Sequence, residues 1–285
     1  MTIAEIHGKL SPFERMEDLL TSDVFSTFRY LVPNKGLIPF LKRAVRAVDK
    51  SNPDFLSDVE EAEYIFWPRT IKLNREPDLL IVLTKKGGST ISLLIESKYT
   101  SGKSNLLREE EQTNIKDHMD GDQLAELYKE LQEGNIHIEN RLVREKFTES
   151  YGNRYLFYVT SHYALPKKDF DESFKILEKK QHGIQPYKHF YWVNWMCIID
   201  VIEEVNANEN WAYAPAMRFL LADLKDLLYK KKLIPFYGFS NLHLYINSQK
   251  FFFWEESVIE YDQQLFSGIK AITQKNVKQY FWMGE

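Results

Sequence analysis

The sequence predicts an α/β protein in which a mixed β-sheet is flanked by helices, and three observations carry that expectation. The first fifty residues read as helices, two short apolar runs around Lys86-Gly87-Gly88 read as a hairpin, and Arg154 to Thr160 reads as a further strand with a helix, Phe170 to Lys180, after it. A chain of 285 residues with 44% hydrophobic and 14% aromatic side chains has ample material for a buried core. No apolar run approaches the ~18 residues of a membrane span. The N-terminus also lacks an apolar signal core, so a cytoplasmic protein with no membrane contact is expected.

Taken in order, Ser11-Pro12-Phe13-Glu14 combines a capping serine, a first-turn proline and a glutamate three residues on, and predicts a helix to Leu20. Ser22 is placed to cap a second helix with Phe25, Phe28 and Leu31 on one face, closed by Pro33. A third helix, Leu37 to Val48, would turn Leu41, Ala44 and Val48 inward. Glu63 to Lys72 is aromatic and β-branched and predicts a strand, with Pro68 marking a bulge or an edge. Arg69 and Lys72 on it are candidates to face a phosphate backbone or simply solvent.

Leu79 to Leu83 and Ile91 to Ile95 are nearly continuous apolar runs, which suits strands covered on both faces. A loop centred on Gly87 sets Asp78 opposite Glu96, and Lys98, two residues on, projects from the same face as Glu96. Charges at the end of apolar strands cost several kcal/mol, on the order of 3–5, unless they are paired or bind a metal. A divalent metal held by Asp78 and Glu96, with Lys98 beside it, offsets that cost and supplies the parts of phosphodiester hydrolysis.

Pro77-Asp78 followed by Glu96-Ser97-Lys98 resembles the PD-(D/E)xK nuclease superfamily, which includes restriction endonucleases and RecB-like nucleases. Leu94 to Tyr99 is similar to the apolar-flanked form of that signature, and Gly121-Asp122-Gln123-Leu124 looks like the glutamine motif of RecB-like members. The resemblance implies a restriction-endonuclease-like αβββαβ core, with N-terminal helices and a C-terminal α/β extension. It implies Mg2+, replaceable by Mn2+, held by Asp78, Glu96 and the Ser97 backbone carbonyl. Catalytic roles fall to Asp78, Glu96, Lys98 and Gln123, and one more acidic ligand from an upstream helix is expected: Glu17, with Glu14 and Asp18 as neighbours and Glu63 as another candidate. One departure is that Tyr128 lies five residues after Gln123, where RecB-like members place their tyrosine four after, so a core tyrosine is expected.

The expected organisation is residues 1–60 as a helical part, 61–165 as the nuclease core and 166–285 as an extension packed on it. Asp122 is expected to cap a helix from Gln123 to Gln132 that Gly134 stops, after a charged surface segment from Arg108. His189 to Val201 reads as a strand or buried segment, Trp211 to Tyr229 as an amphipathic helix and Asn241 to Trp254 as a strand pair. Arg141 to Lys146 and the other basic runs read as solvated faces.

Other chemistries lack their motifs. Gly102-Lys103-Ser104 is not a P-loop, because the required earlier glycine is Ser97, although Lys103 could touch substrate phosphate. The seven histidines are scattered, His162 reads as a loop residue, Cys197 as buried filler, and there is no serine-hydrolase elbow or dinucleotide fingerprint. The expected function is a Mg2+-dependent nuclease acting on nucleic acid, DNA before RNA, with a homodimer left open. The alternatives are a non-catalytic protein of the same fold that binds nucleic acid or a protein, and a structural ion network around Asp78, Glu96 and Lys98. A net charge of −4 counts modestly against extensive wrapping of nucleic acid.

Overall fold

The computed structural model describes residues 16–99, 122–180, 186–208 and 215–236. The chain divides into a unit Met1–Ile234, which holds every element named below, and a second, Pro235–Glu285.

Helix α1 (Met16–Arg29) runs through Ser22, where the sequence predicts a boundary. The hydroxyls that follow bond backward rather than capping: Ser26 donates to the Ser22 carbonyl and Thr27 to the Asp23 carbonyl at 2.7 Å. A hydroxyl satisfied one turn back leaves the helix intact. Helix α2 is only Leu37–Leu41, because the chain then forms strand β1 (Val45–Arg46) instead of continuing to Val48, which is exposed. Leu37, Leu41 and Ala44 are buried as their helical spacing predicts, yet Val45 pairs with Trp192 across the sheet edge. Tertiary pairing here overrides local propensity.

Strand β2 (Val59–Phe66) lies earlier than the predicted Glu63 to Lys72. It ends because Trp67 takes φ +47°, in the left-handed region, and Pro68 follows, after which only Thr70 makes an isolated bridge to Ile136. Strands β3 (Leu79–Lys85) and β4 (Thr90–Lys98) form the predicted hairpin, with Leu79 opposite Ile95. Gly87 and Gly88, at φ +100° and +86°, supply the turn that side-chain-bearing residues resist.

Helices α3 (Gln123–Glu133) and α4 (Arg141–Glu149) separate β4 from the parallel strand β5 (Arg154–Thr160). Helix α5 (Lys167–Lys180) leads to the parallel strand β6 (Phe190–Asn194), and α6 (Cys197–Asn208) and α7 (Pro215–Lys230) follow. The six strands lie in the order β1-β6-β5-β4-β3-β2, so the segment from residue 166 adds a strand to the same open mixed sheet. Helix α4 was not foreseen from the basic run Arg141 to Lys146. Its cap is Asn140, which accepts from Leu142 N and Val143 N, and its inner face is Val143 and Phe147, one turn apart. Residues 11 to 15, 100 to 121 and the pair expected at 241 to 254 lie outside the described residues.

Helices cover both faces of the sheet. Leu79, Ile81, Leu93, Ile95, Phe157 and Val159 pack under α1, α2, α6 and α7, while Leu80, Val82, Leu94, Leu156 and Tyr158 pack under α3, α4 and α5. Full burial of each such side chain contributes roughly 1.5–3 kcal/mol, which is why the runs Leu79 to Leu83 and Leu93 to Ile95 are continuously apolar. Among the described residues no helix is long and apolar enough to cross a membrane.

Candidate active site

Charged groups collect where the apolar run of β4 ends, on the rim formed by the start of β3, the C-terminal ends of β4 and β5, the first residues of α1 and the first turn of α3. The register that pairs Leu79 with Ile95 sets Asp78 and Glu96 at the mouth of the hairpin, both buried. Lys98 Nζ donates to Glu96 Oε1 at 2.7 Å and to Glu17 Oε1 at 2.9 Å. Glu17 Oε2 accepts from the Tyr99 backbone N–H at 3.1 Å, so this carboxylate ties α1 to the end of β4. Gln123 Nε2 donates to the same Glu96 Oε1 at 2.6 Å. Five of the residues singled out in the sequence, Glu17, Asp78, Glu96, Lys98 and Gln123, therefore meet at one rim.

Asp78 is held differently. Its Oδ2 accepts from the Ser97 backbone N–H at 2.6 Å and from Ser97 Oγ at 2.7 Å. Ser97 Oγ lies 2.6 Å from Thr21 Oγ1. The Ser97 proton goes to Asp78, while the Thr21 hydroxyl lies within reach of both Ser97 Oγ and, at 3.0 Å, the Glu17 carbonyl, so its single proton serves those two acceptors. The resulting chain runs from Thr21 through Ser97 to Asp78. Thr21 was not foreseen as part of the site, and its one signal in the sequence is its place a helical turn after Glu17.

The electrostatics are those of too much negative charge in too little water. Burial first, then the facing Asp78, push the Glu96 carboxyl up to about 8 in spite of Lys98. Burial likewise raises Asp78 to about 6, against the pull of its bonds from Ser97. For Lys98, burial favours loss of the proton, but the Glu96 and Glu17 carboxylates outweigh it and hold the amine above its usual range. The ammonium is thus kept charged, and the surplus proton of the cluster sits on the carboxyls.

Two elements fix this geometry from outside. Asp122 Oδ1 accepts from Ala125 N at 2.8 Å and from Ser173 Oγ of α5 at 2.9 Å, which sets the first turn of α3 and with it Gln123. The segment before Asp78 is bolted to the same helix: Arg75 Nε and Nη2 reach Glu126 Oε2 at 2.7 and 2.6 Å, and Lys72 N donates to Glu130 Oε2 at 3.1 Å. Asp78 and Gln123 therefore share one brace.

Several other expectations resolve elsewhere. Glu63 is turned toward α4, 3.7 Å from Lys146, and is not part of the cluster. Arg69 pairs with Glu76 at 3.6 Å and Lys72 with Glu133 at 2.7 Å. Asp18 lines a cleft beside the rim, Glu14 and Lys103 lie outside the described residues, and Tyr128 is buried in the core against Phe190. His162 is an exposed loop residue whose Nδ1 lies 3.0 Å from Thr160 Oγ1, and Cys197 opens α6, partly buried.

Among the described residues there is no group of three or more His, Cys, Asp and Glu arranged as a ready metal cage. The donor set nevertheless fits a hard cation. Among the described residues Glu96 Oε2 is buried without a hydrogen-bond partner, while its other oxygen takes two donors. Mg2+ needs only one or two carboxylates and keeps several waters, so an opposed Asp and Glu suffice. Comparison with family models, curated proteins and solved structures returned no match for this chain.

Proposed function

We propose that this protein is a Mg2+-dependent nuclease of the restriction-endonuclease-like fold, hydrolysing phosphodiester bonds in nucleic acid, DNA before RNA. One observation carries the reading: Glu96 is clamped through one oxygen by Lys98 and Gln123, and its other oxygen is buried and, among the described residues, unpartnered beside a second carboxylate, Asp78. An orphan carboxylate oxygen in that setting is a costly arrangement that a bound cation offsets. With α2, β1 and α4 as additional elements, α1, β2, β3, β4, α3 and β5 follow one another in an αβββαβ order, which supports the same reading.

Asp78 and Glu96 would hold the cation, with the Ser97 backbone carbonyl as a further donor implied by the resemblance. When bound, it supplies Lewis acidity toward phosphoryl oxygen and a water of lowered pKa. The chain's own residues do the rest. Lys98, kept as an ammonium by Glu96 and Glu17, is a poor base and a good fixed cation, so it orients the attacking water and faces the developing charge on phosphate. Gln123 holds Glu96 in orientation, and Thr21 with Ser97 does the same for Asp78.

The test is incubation of the full chain with linear, circular and single-stranded DNA, with and without Mg2+ or Mn2+. Cleavage is expected with metal, and is expected to be lost in Lys98→Ala with the fold intact. Wild-type protein that binds DNA but leaves every substrate uncut with either metal would instead identify a non-catalytic binding protein.

A further inference from the structure

Next to the rim, α1 and the segment leaving β2 enclose a surface cleft of about 450 Å³ lined by Asp18, Leu19, Ser22, Trp67 and Glu76. Trp67 is 39% exposed and takes φ +47°, a conformation a bulky side chain adopts only where its surroundings enforce it. Its backbone N–H donates to the Asp78 carbonyl at 3.0 Å, so the residue stands directly across from a carboxylate-bearing residue of the site. Strained, solvent-facing aromatics next to chemistry point to a ligand.

The lining says what kind. Glu76 lies 3.6 Å from Arg69, so the polar part of the lining is mixed in sign, and Leu19 and the indole offer apolar faces to a flat ring. We propose that Trp67 is a stacking platform for an unpaired nucleobase adjacent to the scissile phosphate, so that the preferred substrate is single-stranded DNA or DNA with an unpaired end. The inference rests on the nuclease reading for its substrate but concerns a residue outside the metal and amine cluster. Base-on-indole stacking tolerates any sequence, because every base presents a π-face. A continuous duplex keeps its bases stacked on one another and so offers no free base face to the indole.

The experiment measures fluorescence anisotropy of a labelled single-stranded oligonucleotide, and of a blunt duplex of the same sequence, with the full chain carrying Lys98→Ala so that bound DNA stays whole. That parent is expected to prefer the single strand. Adding Trp67→Ala is expected to weaken single-strand binding by about 5- to 150-fold, to change duplex binding less than about twofold by the same stacking argument, and to be largely rescued by Trp67→Phe. Trp67→Gly removes both ring and strain. It is expected to melt at or above the parent temperature while binding as weakly as Trp67→Ala, a pairing of effects that a packing role alone does not produce. Equal single-strand affinity in the parent and Trp67→Gly, or a parent that prefers duplex, overturns the inference. Metal-dependent cleavage with Trp67-independent binding sinks this proposal and spares the nuclease. Trp67-dependent binding with no cleavage by the Lys98 protein does the reverse.

Discussion

Glu126 and Glu96 are both fully enclosed carboxylates, one in α3 and one in β4, and their surroundings differ in charge balance. Among the described residues Glu126 receives one cation, the guanidinium of Arg75 through Nε and Nη2, and the pair fastens the segment before Asp78 to α3. Among the described residues Glu96 shares the Lys98 ammonium with Glu17 and faces Asp78 as well, so three carboxylates stand around one amine. The balanced pair closes the structure on itself. The unbalanced cluster leaves one oxygen without a partner and raises the carboxyls, a state that favours a further cation.

If that contrast is right, the two regions respond oppositely to mutation. The largest effect is expected from Asp78→Asn, which keeps an acceptor for Ser97 but removes a charge. Cleavage should fall by about 10³-fold or more, read from plasmid relaxation, while the thermal midpoint holds or rises because repulsion on Glu96 is relieved. Arg75→Ala should do the converse. It removes the Arg75 partner of the buried Glu126 at a cost of about 3 kcal/mol, the lower end for a broken buried pair because the Arg75 side chain is 24% exposed. Urea denaturation measures the loss, and cleavage per folded molecule should change little. Equal stability losses in both variants would erase the distinction between brace and site.

Acidity sharpens the same comparison. Asp78 rises from 3.8 to about 6 and Glu96 from 4.5 to about 8 in the folded chain, so between those values the folded state holds more protons than the unfolded one. Stability conferred by that difference is complete below the unfolded values and is lost as pH rises through the folded ones, at up to about 1.4 kcal/mol per pH unit for each group. Metal-free protein should therefore melt progressively lower from about pH 4 to about pH 8. Added Mg2+ should stabilise more as pH rises through that window, since the ion competes with protons for the same oxygens. Glu96→Gln should flatten the upper part of the profile, whereas Arg75→Ala should shift the curve without changing its shape. A flat wild-type profile would show that the carboxyls are not raised.

Much of this rim was legible in the sequence because a hairpin obeys local rules. Two glycines fixed the turn, the turn set the register, and the register brought Asp78 level with Glu96. Asp122 and Gly134 likewise mark the ends of α3 by their own chemistry. What the sequence left unranked, such as the choice of Glu17 over its neighbours, or missed depends on contacts between distant segments. Nothing local distinguishes Glu17 from Glu14 or Asp18; its selection comes from the Tyr99 N–H and the Lys98 amine, which belong to β4 and its end. Val45 leaves its helical pattern only because β6 lies alongside. Trp67, in the predicted strand Glu63 to Lys72, ends β2 because the following loop is pulled onto α3 by Arg75 and Lys72.

Gln123 offers the finest test, because it touches both regions: its side chain reaches Glu96, and its helix carries Glu126. Gln123→Ala removes a donor to Glu96 Oε1 and leaves the brace alone. The expected loss is about tenfold in Mg2+ affinity, the lower end for groups that orient a metal ligand, with stability altered by less than about 1 kcal/mol. Gln123→Glu is nearly the same size but replaces the donor with another carboxylate. It should destabilise the metal-free protein above neutral pH, where the added charge meets Glu96 and Asp78, and Mg2+ should recover more of that loss than it does for Gln123→Ala. Calorimetric titration of Mg2+ together with melting curves at two pH values separates the variants. Identical behaviour of the alanine and glutamate forms would mean that charge balance at the rim is not what governs it.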